Sequence, residues 1–245
     1  MRDCDTLRDC LDSEVIVAIP HLEGAETVGP HLSNLGFLYA AGVRSIGLAW
    51  SRSNRFATGV PCAFRGEPDT GPGLADAGER LVAGCDRRGI LVDLAHLDEA
   101  GFFDVAAVSE GSLVVSHTAV HSLCPSARNL TDEQLDAVAD TGGIAGISFC
   151  VENVHPQGEQ DTSLPLETVI GHIEYAANQI GIDNVALGTD FDGATVPNAI
   201  GDVRVFRNCS RPPSKKDSTG QFGRNSPRRI GCGYFPKRGT EPESP

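Results

Sequence analysis

Several short segments of this chain carry a chemically useful side chain beside an apolar run. "GILVDLAH" leads straight into His96, "GSLVVSH" repeats the pattern as far as His117, and "HLEGAE" sets Glu23 just after another apolar stretch. Asp190 and Asp192 lie in "GTDFDG", and Arg128 lies in "PSARNLTDEQ". Two imidazoles and a carboxylate arriving from separate strands suit zinc, which takes histidine nitrogen and carboxylate oxygen at about 2.0 to 2.2 Å. Glu23, His96 and His117 are therefore the candidate ligands. Asp190 is the candidate base for a water acidified by the cation, and Arg128 the candidate clamp for a substrate carboxylate, through two parallel hydrogen bonds. Each also has a plainer reading. A strand-end histidine can be a loop residue bonded to backbone, Glu23 a solvated loop acid, Asp190 or Asp192 a helix cap or turn former, and Arg128 a partner of Asp132. His21, His121, His155 and His172 read as structural or exposed.

The elements that must position these residues follow from periodicity. Apolar runs predict strands at "VIVAIP" (15–20), "SIGLAW" (45–50), "ILVDL" (90–94), "LVVS" (113–116), "IAGISF" (144–149) and "NVALGT" (184–189). Amphipathic segments predict helices between them, in "HLSNLGFLYAAG", "GLADAGERLVAGCDRRG", "LDEAGFFDVAAVS", "LTDEQLDAVADTGG" and "PLETVIGHIEYAANQIG". Thr131 with Gln134 has the spacing of a capping box, and Gly142 with Gly143 closes that helix. Such alternation fits an open doubly wound sheet or a closed barrel. No glycine-rich phosphate loop follows the first strand, which disfavours the nucleotide-binding form. The barrel is favoured because Glu23, Trp50, His96, His117 and Asp190 all fall at carboxyl ends of predicted strands, where barrel active sites gather.

Composition narrows the class further. A chain of 245 residues, 40% of them apolar, can bury the core of an enzyme. No apolar run approaches the roughly 18 residues of a membrane span, and "MRDCDTLRDCLDSE" is charged where a secretory signal is apolar, so a soluble, cytoplasmic protein is expected. Eight cysteines without a CxxC pair read as reduced, buried thiols. Charge breaks sharply near residue 204: residues 204–245 hold ten Lys or Arg against three acids, whereas the whole chain nets −13. The acidic body argues against a nucleic-acid partner. Apolar periodicity stops at the same point, so the expected organisation is a body over 1–203 and a disordered basic tail over 204–245.

Taken together, "HLEGAE", "GVRSIGLAWSRSNRFATG", "GILVDLAHLDEAGFFDV", "VVSHTAVHSLCPSARNLTDEQL" and "IGIDNVALGTDFDG" resemble the membrane (renal) dipeptidase family of zinc metallopeptidases, in order over roughly residues 14–203. The resemblance implies a (β/α)8 barrel that bridges two zinc ions and hydrolyses dipeptides, often tolerating a D-residue at the carboxyl-terminal position. On this chain it makes Glu23 the bridging carboxylate, His96 and His117 ligands of one zinc, Arg128 the substrate-carboxylate clamp and Asp190 the proton acceptor. It also suggests a homodimer.

Departures from the family set further expectations. The family's first strand carries a His-x-Asp pair for the other zinc, and this chain is expected to lack such a pair throughout. With six predicted strands, the expected fold is an incomplete (β/α)8 barrel of about six strand-helix units, truncated at its amino end. Trp50 occupies a position where many members place a substrate-contacting His; it offers packing and one N–H donor but no positive charge. The tail is expected to be out of frame, since reading "RIGCGYFP" one base earlier permits "NWLRVF", which resembles the family's closing helix. A basic arm that binds nucleic acid or membrane would need aromatic or amphipathic spacing, which the tail lacks. The functional expectation is zinc-dependent hydrolysis of dipeptides. The alternatives are a silent fragment binding at most one zinc, or a related metal-dependent amidohydrolase.

Overall fold

The computed structural model describes residues 4–11, 13 and 15–208. The expected basic tail lies outside them from residue 209 on. Among the described residues the α/β alternation is clear: α1 (Cys4–Leu11), β1 (His21–Glu23), α2 (Leu35–Ala41), β2 (Ser45–Gly47), α3 (Asp76–Asp86), β3 (Leu91–Asp93), α4 (Glu99–Val108), β4 (Val114–Thr118), α5 (Asp132–Asp140), β5 (Ile144–Ile147), α6 (Val151–Val154), α7 (Leu166–Ile180) and β6 (Val185–Leu187). Six strands follow one another in a single sheet in chain order, as six consecutive units of a (β/α)8 barrel require.

By contacts the chain forms two compact units. One takes residues up to Cys62 with Pro68–Val114; the other takes Ala63–Glu67 and continues from Val115. In the first, β1 pairs in parallel with β2 and β2 with β3, in a register that aligns His21, Ser45 and Leu91. Ile46, Leu48, Phe56, Leu81, Val82 and Phe102 are fully buried there. Asp98 caps α4 by accepting from the Gly101 N–H at 3.0 Å. The second unit pairs β5 with β6 in parallel. Its core gathers Ala119, Phe149, Val154, Leu164, Val169 and Ile200. The predicted Thr131–Gln134 capping box is present at α5, and Gly142 takes φ +64° just beyond that helix.

Several predicted boundaries need correction. The strand expected over 15–20 is not one: those residues lie outside the ladder and β1 begins at His21, because the pairing residues of β2 begin at Ser45. Val15 and Ile16 are exposed. Glu23 is thus the last residue of its strand, and His117 lies inside β4. Trp50 does not end β2, which stops at Gly47. Asn54 Nδ2 donates to the Leu48 carbonyl at 2.8 Å, so the chain leaves the ladder for loop contacts, and Trp50 forms an isolated bridge with Arg52. The helices α1 and α6 lie where no helix was expected.

Candidate metal centre

In the first unit, β1 and β3 bring two of the predicted ligands together. His96 follows β3 by three residues and takes φ +69°, a left-handed conformation unusual for a residue with a Cβ. Its carbonyl accepts from the Val60 N–H at 2.9 Å, which holds that turn. The ring is buried, yet Nε2 lies 3.0 Å from Oε1 of Glu23, whose side chain is 44% exposed. Nδ1 lies 2.9 Å from Ser51 Oγ. The Trp50 ring sits beside it, with centroids 5.9 Å apart and planes tilted by 39°.

In the second unit, β4 carries His117, whose Nδ1 lies 2.8 Å from Ser116 Oγ. Arg128 is buried and its Nη2 donates to the His117 carbonyl at 3.4 Å. The alternative of an Arg128–Asp132 pair is not what Asp132 shows, since that carboxylate accepts from Tyr175 at 3.0 Å and from Ser122 at 3.4 Å. Gly188 follows β6, and a Cβ there would stand 2.2 Å from the Ser116 carbonyl oxygen and 2.8 Å from the His117 Cα. Only glycine allows β6 to press this closely on the end of β4. Asp190 follows two residues on from that contact. Asp190 and Asp192 take φ +55° and +67°, and the Asp190 carbonyl accepts from the Gly193 and Ala194 N–H groups. The predicted turn-forming role is therefore real for the Asp190 backbone.

Glu23, His96 and His117 each offer one ligand atom, and these atoms lie within 4.8 Å of one another. The set fits zinc by chemistry: two imidazole nitrogens and one carboxylate oxygen. It fits also in its support, because a ligating histidine ordinarily uses its second ring nitrogen in a hydrogen bond. Both rings do so, each to a serine hydroxyl.

Several other titratable groups have partners within the fold. A His-x-Asp spacing does occur once, at His96-Leu97-Asp98. Asp98 is engaged as the α4 cap and also accepts from the Gly73 N–H at 3.3 Å; burial raises its pKa, against the lowering effect of those backbone donors. His172 is buried on α7, where Nδ1 accepts from the Val120 N–H at 3.1 Å and Nε2 meets the Val154 carbonyl at 3.1 Å. His155 Nδ1 accepts from the Gln157 N–H, His121 meets the Gly66 carbonyl, and His21 is exposed against Ser45. Burial pushes the Cys85 and Cys124 thiols up to about 12 and about 11, as inert core thiols should be. Sequence reasoning missed Ser51 and Gly188. "WSRSN" gave no signal for the first, and the short "LGTD" step after an apolar run was a weak one for the second.

The profile of the membrane dipeptidase family, peptidase family M19, matches residues 1–210. A metallo peptidase from Rhodobacter sphaeroides, solved with a phosphinate mimic of the dipeptide L-Ala-D-Ala, superposes with a TM-score of 0.83 at 41% identity, over 85% of this chain and 59% of that one. An uncharacterised protein of the pqqA 5′ region of Klebsiella pneumoniae is 43% identical over 194 residues, 79% of this chain and 72% of its own length. The dipeptidase aclJ of Aspergillus oryzae is 33% identical over 216 residues, 86% of this chain but 50% of its own length. With the strand order, the carboxyl-end residues and a match across nearly all the described chain in agreement, this protein belongs to the membrane dipeptidase family, peptidase family M19.

Proposed function

We propose that Glu23, His96 and His117 hold zinc and that the site serves hydrolysis of the peptide bond of dipeptides. The observation that carries this reading is the approach of the three donor atoms within 4.8 Å. When bound, zinc supplies a Lewis acid that polarises the peptide carbonyl and lowers the pKa of water at the site. The chain's own residues do the rest. Asp190 takes a proton from the attacking water and returns it to the leaving amine. Arg128 grips the terminal carboxylate from a buried position, where a bidentate charge-assisted pair is strong and fixes the substrate's orientation. Trp50, 44% exposed, offers an apolar wall and one N–H donor to the substrate.

The dipeptide is the substrate class because the Rhodobacter sphaeroides relative was solved with a dipeptide mimic. The described residues supply one zinc set, and the chain's single His-x-Asp contributes its Asp as a helix cap, so one zinc per chain is proposed. A homodimer is proposed on the family likeness, to be read by light scattering. Among the described residues no helix is long and apolar enough to cross a membrane.

The test is a panel of L,L and L,D dipeptides and other small amides, assayed with added zinc and with a chelator. Dipeptide turnover that the chelator abolishes supports the proposal. Zinc binding without turnover leaves a binding protein, and turnover of other amides alone makes the chain an amidohydrolase of different specificity.

A further inference from the structure

Three side chains form a line behind the Glu23–His96 pair: His96 Nδ1 lies 2.9 Å from Ser51 Oγ, and Ser51 Oγ lies 3.0 Å from Cys62 Sγ. The loop that carries Ser51 is held from several sides. Trp50 bridges to Arg52, and Gly59 packs so closely that a Cβ there would stand 2.0 Å from the Trp50 carbonyl oxygen. Gly59 in turn bridges to Leu97, and the Val60 N–H donates to the His96 carbonyl. Residues 50–62 are thereby wrapped around the His96 turn, and the hydroxyl is fixed relative to the ring rather than meeting it by chance.

We propose that Ser51 is a positioning residue that holds the His96 ring and pairs with Nδ1 in either tautomer, so that Nε2 can give up its proton to take a divalent cation. The inference rests on the metal reading given above. A neutral imidazole has one N–H, and a nitrogen that ligates a cation must be the one without it. With the cation present, Nδ1 carries the proton and donates to Ser51 Oγ, and the Ser51 O–H donates onward to Cys62 Sγ. With the cation absent, the proton stands on Nε2 and donates to Glu23, and the Ser51 O–H turns to donate to Nδ1. A hydroxyl both donates and accepts, so Ser51 satisfies His96 in either state without moving a heavy atom. Alanine does neither, and threonine does both.

The experiment compares the intact chain with Ser51→Ala, Ser51→Thr and Cys62→Ala. Zinc affinity is read by competition with a chromophoric chelator, and the His96 tautomer by nitrogen-15 chemical shifts with and without zinc. In the parent chain, zinc should move the proton from Nε2 to Nδ1. Ser51→Ala should weaken zinc 10- to 100-fold, the usual cost of removing such a supporting partner. Ser51→Thr should restore affinity to within a few-fold of the parent, and Cys62→Ala should weaken it less than Ser51→Ala does. Equal affinity in parent and Ser51→Ala overturns this proposal alone, and so does a Ser51→Thr chain that is folded and as weak as alanine. A parent chain that binds no zinc overturns this proposal and the metal reading together.

Discussion

Two histidines of this chain are buried, and they are buried for different reasons. His172 on α7 meets backbone with both ring nitrogens, the Val120 N–H on one side and the Val154 carbonyl on the other. His96 meets side chains with both, Ser51 on one side and a half-exposed carboxylate on the other. Backbone partners are made by the fold and hold the ring as a spacer between elements. Side-chain partners can be exchanged, and one of them opens to solvent where an ion can enter. Their backbones differ as well: His172 sits in regular helix, whereas His96 takes a left-handed φ. A positive φ at a non-glycine residue costs on the order of 1 kcal/mol and persists only where the surroundings hold it. Burial alone would have ranked these two residues together; the chemistry of their partners separates them.

The sharpest way to break the comparison is at the catalytic end. Asp190→Asn should lower dipeptide turnover roughly 10²- to 10⁴-fold, the usual contribution of a positioned general base, while zinc binding is kept. Steady-state kinetics with a metal assay on the same preparation checks this. His172→Ala should do the converse. It strands the Val120 N–H and the Val154 carbonyl in the core, at about 1 to 3 kcal/mol for each unsatisfied group, and should lower the urea midpoint while leaving zinc affinity within a few-fold of the parent.

Titration sharpens the same contrast. Burial holds the His172 pKa below its usual 6.5, so the folded chain keeps the ring neutral where the unfolded chain would charge it. As pH falls below about 6.5 the unfolded state takes up a proton that the folded state refuses, and stability declines until pH reaches the depressed folded value. Urea unfolding of the metal-free chain between pH 7.5 and 5 should show that decline, and His172→Asn should remove its contribution. The smallest expected effect is at the α5 cap. Thr131→Ala removes the hydroxyl that accepts from the Gln134 N–H and should cost about 1 kcal/mol with no change in zinc affinity, as thermal unfolding would show.

Much of this was legible in the residues. Strand-helix alternation was visible because strands buried on both faces read as unbroken apolar runs, and each of the five predicted helices overlaps an observed one. The α5 cap was readable because its signal is local, a hydroxyl three residues before a glutamine. Glu23, His96 and His117 were readable because polar side chains ending apolar runs are conspicuous. What stayed hidden depends on distant partners. The run at 15–20 is as apolar as any strand, yet pairing begins only at His21 because β2 sets the register. Apolar character continuing past Gly47 predicts a strand that ends at Trp50, while the Leu48 carbonyl is already taken by Asn54. Ser51 and Cys62 have no sequence signature at all, since their link to His96 spans 45 positions in one step.

The most direct test of the central claim is a zinc titration against a chromophoric chelator, run in parallel on the parent chain, His96→Ala, His117→Ala and His172→Asn. The account predicts that the parent binds zinc, that each of the first two replacements weakens binding by at least about 100-fold through loss of a ligand, and that His172→Asn binds as the parent does. Zinc held equally well by the parent and by His96→Ala would contradict it.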